Sequence, residues 1–202
     1  MCMDKEPKKP SLTITIMGIG SGGMNIINRI SNNFSNNPNI NFICINTDTT
    51  ILNNTSEKKL SIGQKITNGL GCGGNPNNGR LAAEENRNEI TKELLGNDIV
   101  ILISCFGGGT GTGATPVIAK IAKEFDIKTK ALVTVPFTFE GKKRGFQAKE
   151  GIEKLKEYTD VYSYKNDLIL DLLPQNTSMR DAFNVVNEQM SRKIQKLIEE
   201  YI

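Results

Sequence analysis

Ile99-Val100-Ile101-Leu102-Ile103-Ser104, followed after Cys105-Phe106 by Gly107-Gly108-Gly109-Thr110-Gly111-Thr112-Gly113, is the passage on which the fold turns. The first five residues form a continuous apolar run of the kind that fills a strand buried on both faces, and Ser104 ends it. Five of the next seven are glycine, and from 114 to 125 apolar residues return at helical spacing. In strand, glycine loop, helix, successive backbone N–H groups and a helix N-terminus converge on an anion. The bare glycines would let a polyphosphate approach the backbone, and the hydroxyls of Thr110 and Thr112 would add donors. A purely structural loop this rich in glycine would lose backbone entropy on folding without evident return.

The same succession stands earlier in the chain, with a strand over 12–17, glycines within 18–23 and a helix over 24–34. Gly18-Ile19-Gly20-Ser21-Gly22-Gly23 satisfies G-x-G-x-x-G, and Asp48 stands near the place, about 20 residues on, where a dinucleotide site holds its acidic residue. A nicotinamide-dependent oxidoreductase is therefore open on this first cluster. The absence of G-K-[ST] excludes an ordinary P-loop.

Outward from these two clusters, further strands are predicted over 42–46 and 130–135 and helices over 80–95 and 145–158. A glycine-rich loop over 69–74 runs into Asn75-Pro76. Strands alternating with helices imply an α/β fold, doubly wound, with a mostly parallel sheet covered on both faces. Ligands of such sheets bind at the carboxyl ends of the strands, where both glycine clusters fall. Met179, Ala182, Phe183, Val186, Met190, Ile194, Leu197 and Ile198 make one stripe of a long final helix. The expected organisation is a disordered lead-in over 1–10, charged and proline-bearing, a nucleotide domain over 11–177 and a long helix over 178–202.

Composition narrows the chemistry. Twenty-five basic against 22 acidic residues give a net charge of +3, scattered and too mild for a nucleic-acid footprint. No apolar run reaches the roughly 20 residues of a membrane span, so a cytoplasmic protein is expected. With no histidine, Ser-His-Asp and Cys-His catalysis are out. Cys2, Cys44, Cys72 and Cys105 form no C-x-x-C pair and read as reduced thiols.

Residues 107–113 match G-G-G-T-G-[ST]-G, the signature of the FtsZ and tubulin superfamily. Asn46-Thr47-Asp48, the run Gly69-Leu70-Gly71-Cys72-Gly73-Gly74-Asn75-Pro76, Pro116-Val117-Ile118-Ala119 and the segment from Pro136 to Arg144 follow FtsZ segments in the same order. The chain thus resembles the FtsZ branch of that family over 12–202, and the resemblance implies a GTP-binding domain. It places Ser21, Gly22, Gly23, Met24 and Asn25 along the nucleotide. Cys72, Gly73, Gly74 and Asn75 would face the terminal phosphate, and Gly109, Thr110 and Gly111 would lie on the phosphates. Glu140 and Arg144 match contacts to ribose and phosphate, Phe183 the aromatic stacked on the base, and Asn166 and Asn187 the guanine edge. Met24 is bulkier than the residue usual at its position.

The resemblance further implies GTP and GDP as ligands, Mg²⁺ with the phosphates, and FtsZ-like subunits as head-to-tail partners in bacterial division, without nucleic acid or direct membrane insertion. No catalytic residue and no metal ligand of its own is expected. The Asn-x-Asp-Phe-Ala-Asp loop and second domain that follow the long helix in FtsZ are absent from these 202 residues. Hydrolysis is therefore expected to need an acidic loop from an intact partner, and the apolar stripe of the final helix to stand partly uncovered. A non-hydrolysing regulator or capper of filaments is the alternative, and the oxidoreductase a more distant one.

Overall fold

Apolar, β-branched sequences open at regular intervals into strands, and the computed structural model, which describes residues 12–174 and 176–201, assembles them into one sheet. The lead-in over 1–10 and Cys2 lie outside the described residues. In chain order the strands are β1 (Ile14–Ile19), β2 (Ile40–Asn46), β3 (Lys58–Ser61), β4 (Ile99–Cys105), β5 (Lys128–Val135) and β6 (Asp160–Lys165). All pairings are parallel, in the order β3-β2-β1-β4-β5-β6. The chain winds outward from β1 to one edge, then crosses to β4 and winds to the other. The reversal between β1 and β4 opens a crevice at their carboxyl ends. Ile14 pairs with Ile99 and Ile19 with Ser104, so the loops that follow β1 and β4 emerge side by side.

The helices are α1 (Gly20–Ile30), α2 (Thr49–Leu52), α3 (Gln64–Thr67), α4 (Pro76–Glu85), α5 (Arg87–Leu94), α6 (Thr110–Glu124), α7 (Lys142–Lys156) and α8 (Met179–Glu199). On one face of the sheet, Ile26, Ile27 and Ile30 of α1 and Val186, Met190 and Ile194 of α8 share a core with Ile16, Ile101 and Ile103. On the other face, Ala82 and Ala83 of α4, Ile90 of α5, Ile118 and Ile121 of α6 and Leu155 of α7 pack on Met17, Val100 and Leu102. At roughly 1.5–3 kcal/mol for each buried aliphatic side chain, these two layers fix the sheet.

Several expectations change. The expected uncovered stripe of the final helix is covered: Ala182, Val186, Met190, Ile194, Leu197 and Ile198 are each at most 9% exposed, packed against the α1 face. Met179, at 60% exposure, is the member of that stripe left in solvent. The helix expected over 80–95 is two helices that meet at Asn86, whose Oδ1 accepts from Gly63 N–H at 2.7 Å. The helix after the second glycine cluster starts at Thr110 rather than 114. Glycine is a poor helix former, but at Gly113 a Cβ would overlap the Pro76 carbonyl of α4. Close packing of α4 on α6 overrides propensity there.

Among the described residues no helix is long and apolar enough to cross a membrane.

Candidate functional site

β1 and β4 each end in a glycine-bearing turn that feeds a helix, α1 and α6, and between the two lies a cleft of about 370 Å³. Gly20, Ser21, Gly22 and Asn25 line one side, residues 108–111 the floor, Glu140 and Arg144 a rim, and Asn166, Phe183, Val186 and Asn187 the far wall. Gly20 is held at φ +73° with its Cα hydrogen toward α6, where a Cβ would come 3.1 Å from Gly111 N. A larger hollow of about 550 Å³ lies beside Ile40, Phe42 and Asn97, but no glycine lines it and no α-helix starts in its lining.

Neither α1 nor α6 carries a side-chain cap or an acidic residue in its first turn. Their first N–H groups are left without intrahelical partners and carry the positive ends of both dipoles into one cleft. An anion with several oxygens is the complementary guest.

The side chains fall into three groups. Ser21 and Asn25 are exposed at the cleft, Gly22 half-buried beside Cys105, and Phe183 half-buried. The Phe183 ring meets Phe137 edge to face at 5.2 Å, and Phe137 in turn stacks on Phe139 at 4.7 Å. Asn166 is 3% exposed, and its Oδ1 is buried without a hydrogen-bond partner among the described residues. Such an acceptor costs about 1–3 kcal/mol unless something donates to it.

Glu140 and Arg144 do come together, one turn apart and 2.7 Å from each other. Glu140 Oε1 also accepts from Phe137 N–H at 2.8 Å, so the carboxylate is held on both oxygens while Arg144 stays half in solvent. Burial pushes the Cys105 thiol up, against a smaller lowering by its bond to Thr134, with Glu140 adding to the rise. The floor of the cleft therefore keeps a neutral S–H.

Other residues of the expected set lie behind the cleft rather than in its lining. Met24 is buried at 2%, its side chain turned into the core where Sδ accepts from Asn46 Nδ2 at 3.2 Å, so its bulk does not narrow the approach. At Gly23 a Cβ would overlap the Ile103 carbonyl, a packing requirement. The loop Cys72, Gly73, Gly74, Asn75 borders the second cluster: Cys72 Sγ lies 3.5 Å from Thr110 Oγ1, and Asn75 caps α4 by accepting from Asn77 N–H at 3.0 Å. Gly73 and Gly74 face open space.

Thr112 does not supply the expected second hydroxyl donor. It is buried, and its Oγ1 accepts from Gly107 N–H at 2.8 Å, closing the loop on itself. Gly109 and Gly111 leave no room for a Cβ beside Cys72 and Ser104 respectively, whereas Gly108 has nothing within 4 Å. Much of the glycine content is thus needed by packing. Asp48 caps α2, accepting from Ile51 N–H at 3.0 Å, and is not in the cleft lining, which removes the ribose contact that a dinucleotide would use.

Thr47, outside the expected site set, is fully buried with Oγ1 2.7 Å from Thr110 Oγ1. The only sign of it in the sequence is a polar Asn46-Thr47-Asp48 at the end of an apolar strand.

A model of the tubulin/FtsZ family, GTPase domain, matches residues 13–174. Among solved structures, the chain is similar to FtsZ of M. jannaschii in an empty dimer, with 38% identity and a TM-score of 0.90 over 96% of this chain and 56% of that one. The W319Y mutant of M. jannaschii FtsZ gives 38% identity and 0.89 over 95% and 57%. CetZ2 from Haloferax volcanii, a GTPγS-bound protofilament, gives 22% identity and 0.82 over 92% and 58%, a likeness of fold alone. The chain spans a little over half the length of these proteins.

Proposed function

The chain belongs to the tubulin/FtsZ family as a GTPase domain, and from that premise we propose that it binds GTP and GDP in the cleft at the carboxyl ends of β1 and β4. The observation that carries the proposal is the meeting of two uncapped, acid-free helix N-termini with an unpartnered buried acceptor, Asn166 Oδ1, in one cleft. The N-termini of α1 and α6, with Gly109, Thr110 and Gly111, take the phosphates. Arg144 adds positive charge at the rim, and the carboxylate of Glu140 keeps lone pairs for ribose hydroxyls. Phe183 offers a ring face to the base. The oxygens of Asn166 and Asn187 accept from guanine N1–H and the N2 amine, donors that the adenine edge does not present in that order. Residues 11–177 are the nucleotide unit, and the helix over 178–202 brings Phe183 and Asn187 to it.

Among the described residues no three potential metal-ligating side chains gather anywhere. That donor set fits a cation carried on phosphate oxygens and water rather than a protein cage, the usual manner of Mg²⁺. Mg²⁺ would neutralise charge on the phosphates when bound.

Glu140 is the carboxylate among the described residues of the cleft lining; each of its oxygens already holds a partner, and the lone pairs that remain are those given to the ribose. Orientation of an attacking water therefore falls to a carboxylate from outside the described residues, which we assign to a neighbouring FtsZ-like subunit added head to tail. The setting that follows is a cytoplasmic filament of bacterial division. The same engaged carboxylate also favours a second reading, a nucleotide-bound regulator or capper of such filaments without turnover of its own.

Calorimetry with GTP, GDP, ATP and NAD tests the binding reading. GTP and GDP should bind, ATP and NAD much more weakly. Thr110→Val should weaken GTP by about 1–3 kcal/mol through loss of a hydroxyl bonded to a charged group. Equal affinity for ATP and GTP in the unaltered protein would overturn the guanine assignment.

A further inference from the structure

Behind the phosphate floor, three side chains from three separate segments close into a triangle. Thr47 Oγ1 at the end of β2 lies 2.7 Å from Thr110 Oγ1 at the start of α6 and 3.3 Å from Cys72 Sγ in the loop before α4. Thr110 Oγ1 donates to Cys72 Sγ at 3.5 Å, completing the third side. Thr47 is 0% exposed and Cys72 5%, so solvent does not supply alternative partners.

Each of the three atoms carries one hydrogen and can accept. With no anion at Thr110 the hydrogens run round the triangle, Thr47 to Thr110, Thr110 to Cys72, Cys72 to Thr47. An anion that takes the hydrogen of Thr110 breaks the weakest side, the one to sulfur. Thr47 then has to keep donating to Thr110, and Cys72 S–H to Thr47, in a chain that ends on the anion.

The backbone of Thr47 is held on both sides and its side chain is fully buried. Its N–H donates to Asn46 Oδ1 at 2.8 Å, and its carbonyl accepts from Thr67 Oγ1 at 3.2 Å and Gly71 N–H at 3.1 Å. Cys72 sits against Gly109, where no Cβ would fit, and the two residues that follow it, Gly73 and Gly74, face open space.

We infer that Thr47 is a positioning residue that aims the Thr110 hydroxyl at the bound phosphate, and that Cys72 competes for the same hydrogen. The inference rests on the GTP-binding reading of the cleft. It gives the two neighbours of Thr110 opposite effects. Thr47→Val removes the donor that holds Thr110 in place and should weaken GTP binding about three- to tenfold, the usual scale of one buried hydrogen bond. Thr47→Ser restores the hydroxyl and should restore the affinity. Cys72→Ala removes the competing acceptor and should tighten GTP binding about twofold, the low end of the same scale.

The experiment is calorimetric titration of the whole chain and of these three variants with GTP, together with infrared difference spectra of the S–H stretch on adding GTP. The Cys72 band is identified by its loss in Cys72→Ala. It should move to lower wavenumber with nucleotide in the unaltered chain, because the hydrogen-bond chain then ends on an anion, and stay in place in Thr47→Val. A chain that binds no GTP at all overturns the function proposed above. A chain that binds GTP normally, while Thr47→Val and Cys72→Ala both weaken it or both leave it unchanged, or while the S–H band stays still, overturns the positioning role alone.

Discussion

Asn166 Oδ1 is a buried acceptor without a donor among the described residues, and a group of that kind weakens the empty protein until a ligand donates to it. Asn166→Leu keeps the branched four-atom shape of the side chain and removes the orphan. The empty protein should gain about 1 kcal/mol while GTP loosens about tenfold, a reversal that thermal denaturation with and without GTP would reveal. A variant less stable in both conditions would show instead that Asn166 has a partner within the fold. Cys44 gives a second residue-scale prediction. Burial pushes its thiol up to about 11 from 9.0, against a smaller lowering from the Thr55 bond. The unfolded chain therefore gives up this proton first as pH rises, so stability is whole below pH 9 and declines between 9 and about 11. Cys44→Ala should flatten that part of a denaturation-against-pH curve relative to the unaltered protein, and an identical curve would discount the thiol. Residue identity alone separated such roles poorly. Thr110 and Thr112 look alike in the sequence, but the alternate one is turned into the loop to hold Gly107 N–H. Met24 looked obstructive because its direction, set by burial against Asn46, is not written in its bulk.

At the level of elements, apolar runs made the central strands legible: β1, β2, β4 and β5 lie within two residues of where hydrophobic periodicity puts them. The edge strands β3, Lys58–Ser61, and β6, Asp160–Lys165, were not, since a strand with one free edge and mostly exposed side chains has no need of an apolar pattern. The short helices α2 and α3 are likewise stabilised by local bonds, such as Asp48 to Ile51 N–H, more than by an apolar face. The glycine cluster has the composition of a phosphate cradle, whereas the packing of α4 on α6 accounts for part of it. Gly113→Ala would drive a methyl into the Pro76 carbonyl, and Gly108→Ala would meet nothing within 4 Å. The first should cost several kcal/mol or prevent folding, on the order of other overpacked cores or beyond. The second should leave the melting temperature unchanged and reduce only GTP binding. Equal melting temperatures for the two variants would refute the division of the cluster into packing and ligand glycines.

For the molecule as a whole, the question is what one chain can do with the nucleotide proposed for its cleft. Phosphoryl transfer to water depends chiefly on positioning and on charge, and a group must orient the water in line with the terminal phosphate. Within the cleft, Glu140 is committed to Arg144 and Phe137 N–H, and freeing it would break an ion pair and a backbone hydrogen bond together. The cleft opens at the carboxyl ends of the strands, so a second subunit stacked over that end could present its own carboxylates to the phosphate, as a head-to-tail contact repeats along a filament. Turnover per chain should then stay near background at any concentration of this chain alone and rise steeply once it is mixed with an FtsZ-like subunit that carries an acidic loop. Binding needs no such encounter and should show no concentration dependence. Measuring phosphate release over a wide range of protein concentration, with and without that second subunit, separates the two steps. Release per chain that stays constant and well above background across the range, with no effect of the added subunit, would mean that the water is oriented within a single chain, and Glu140→Gln would then be the first variant to examine.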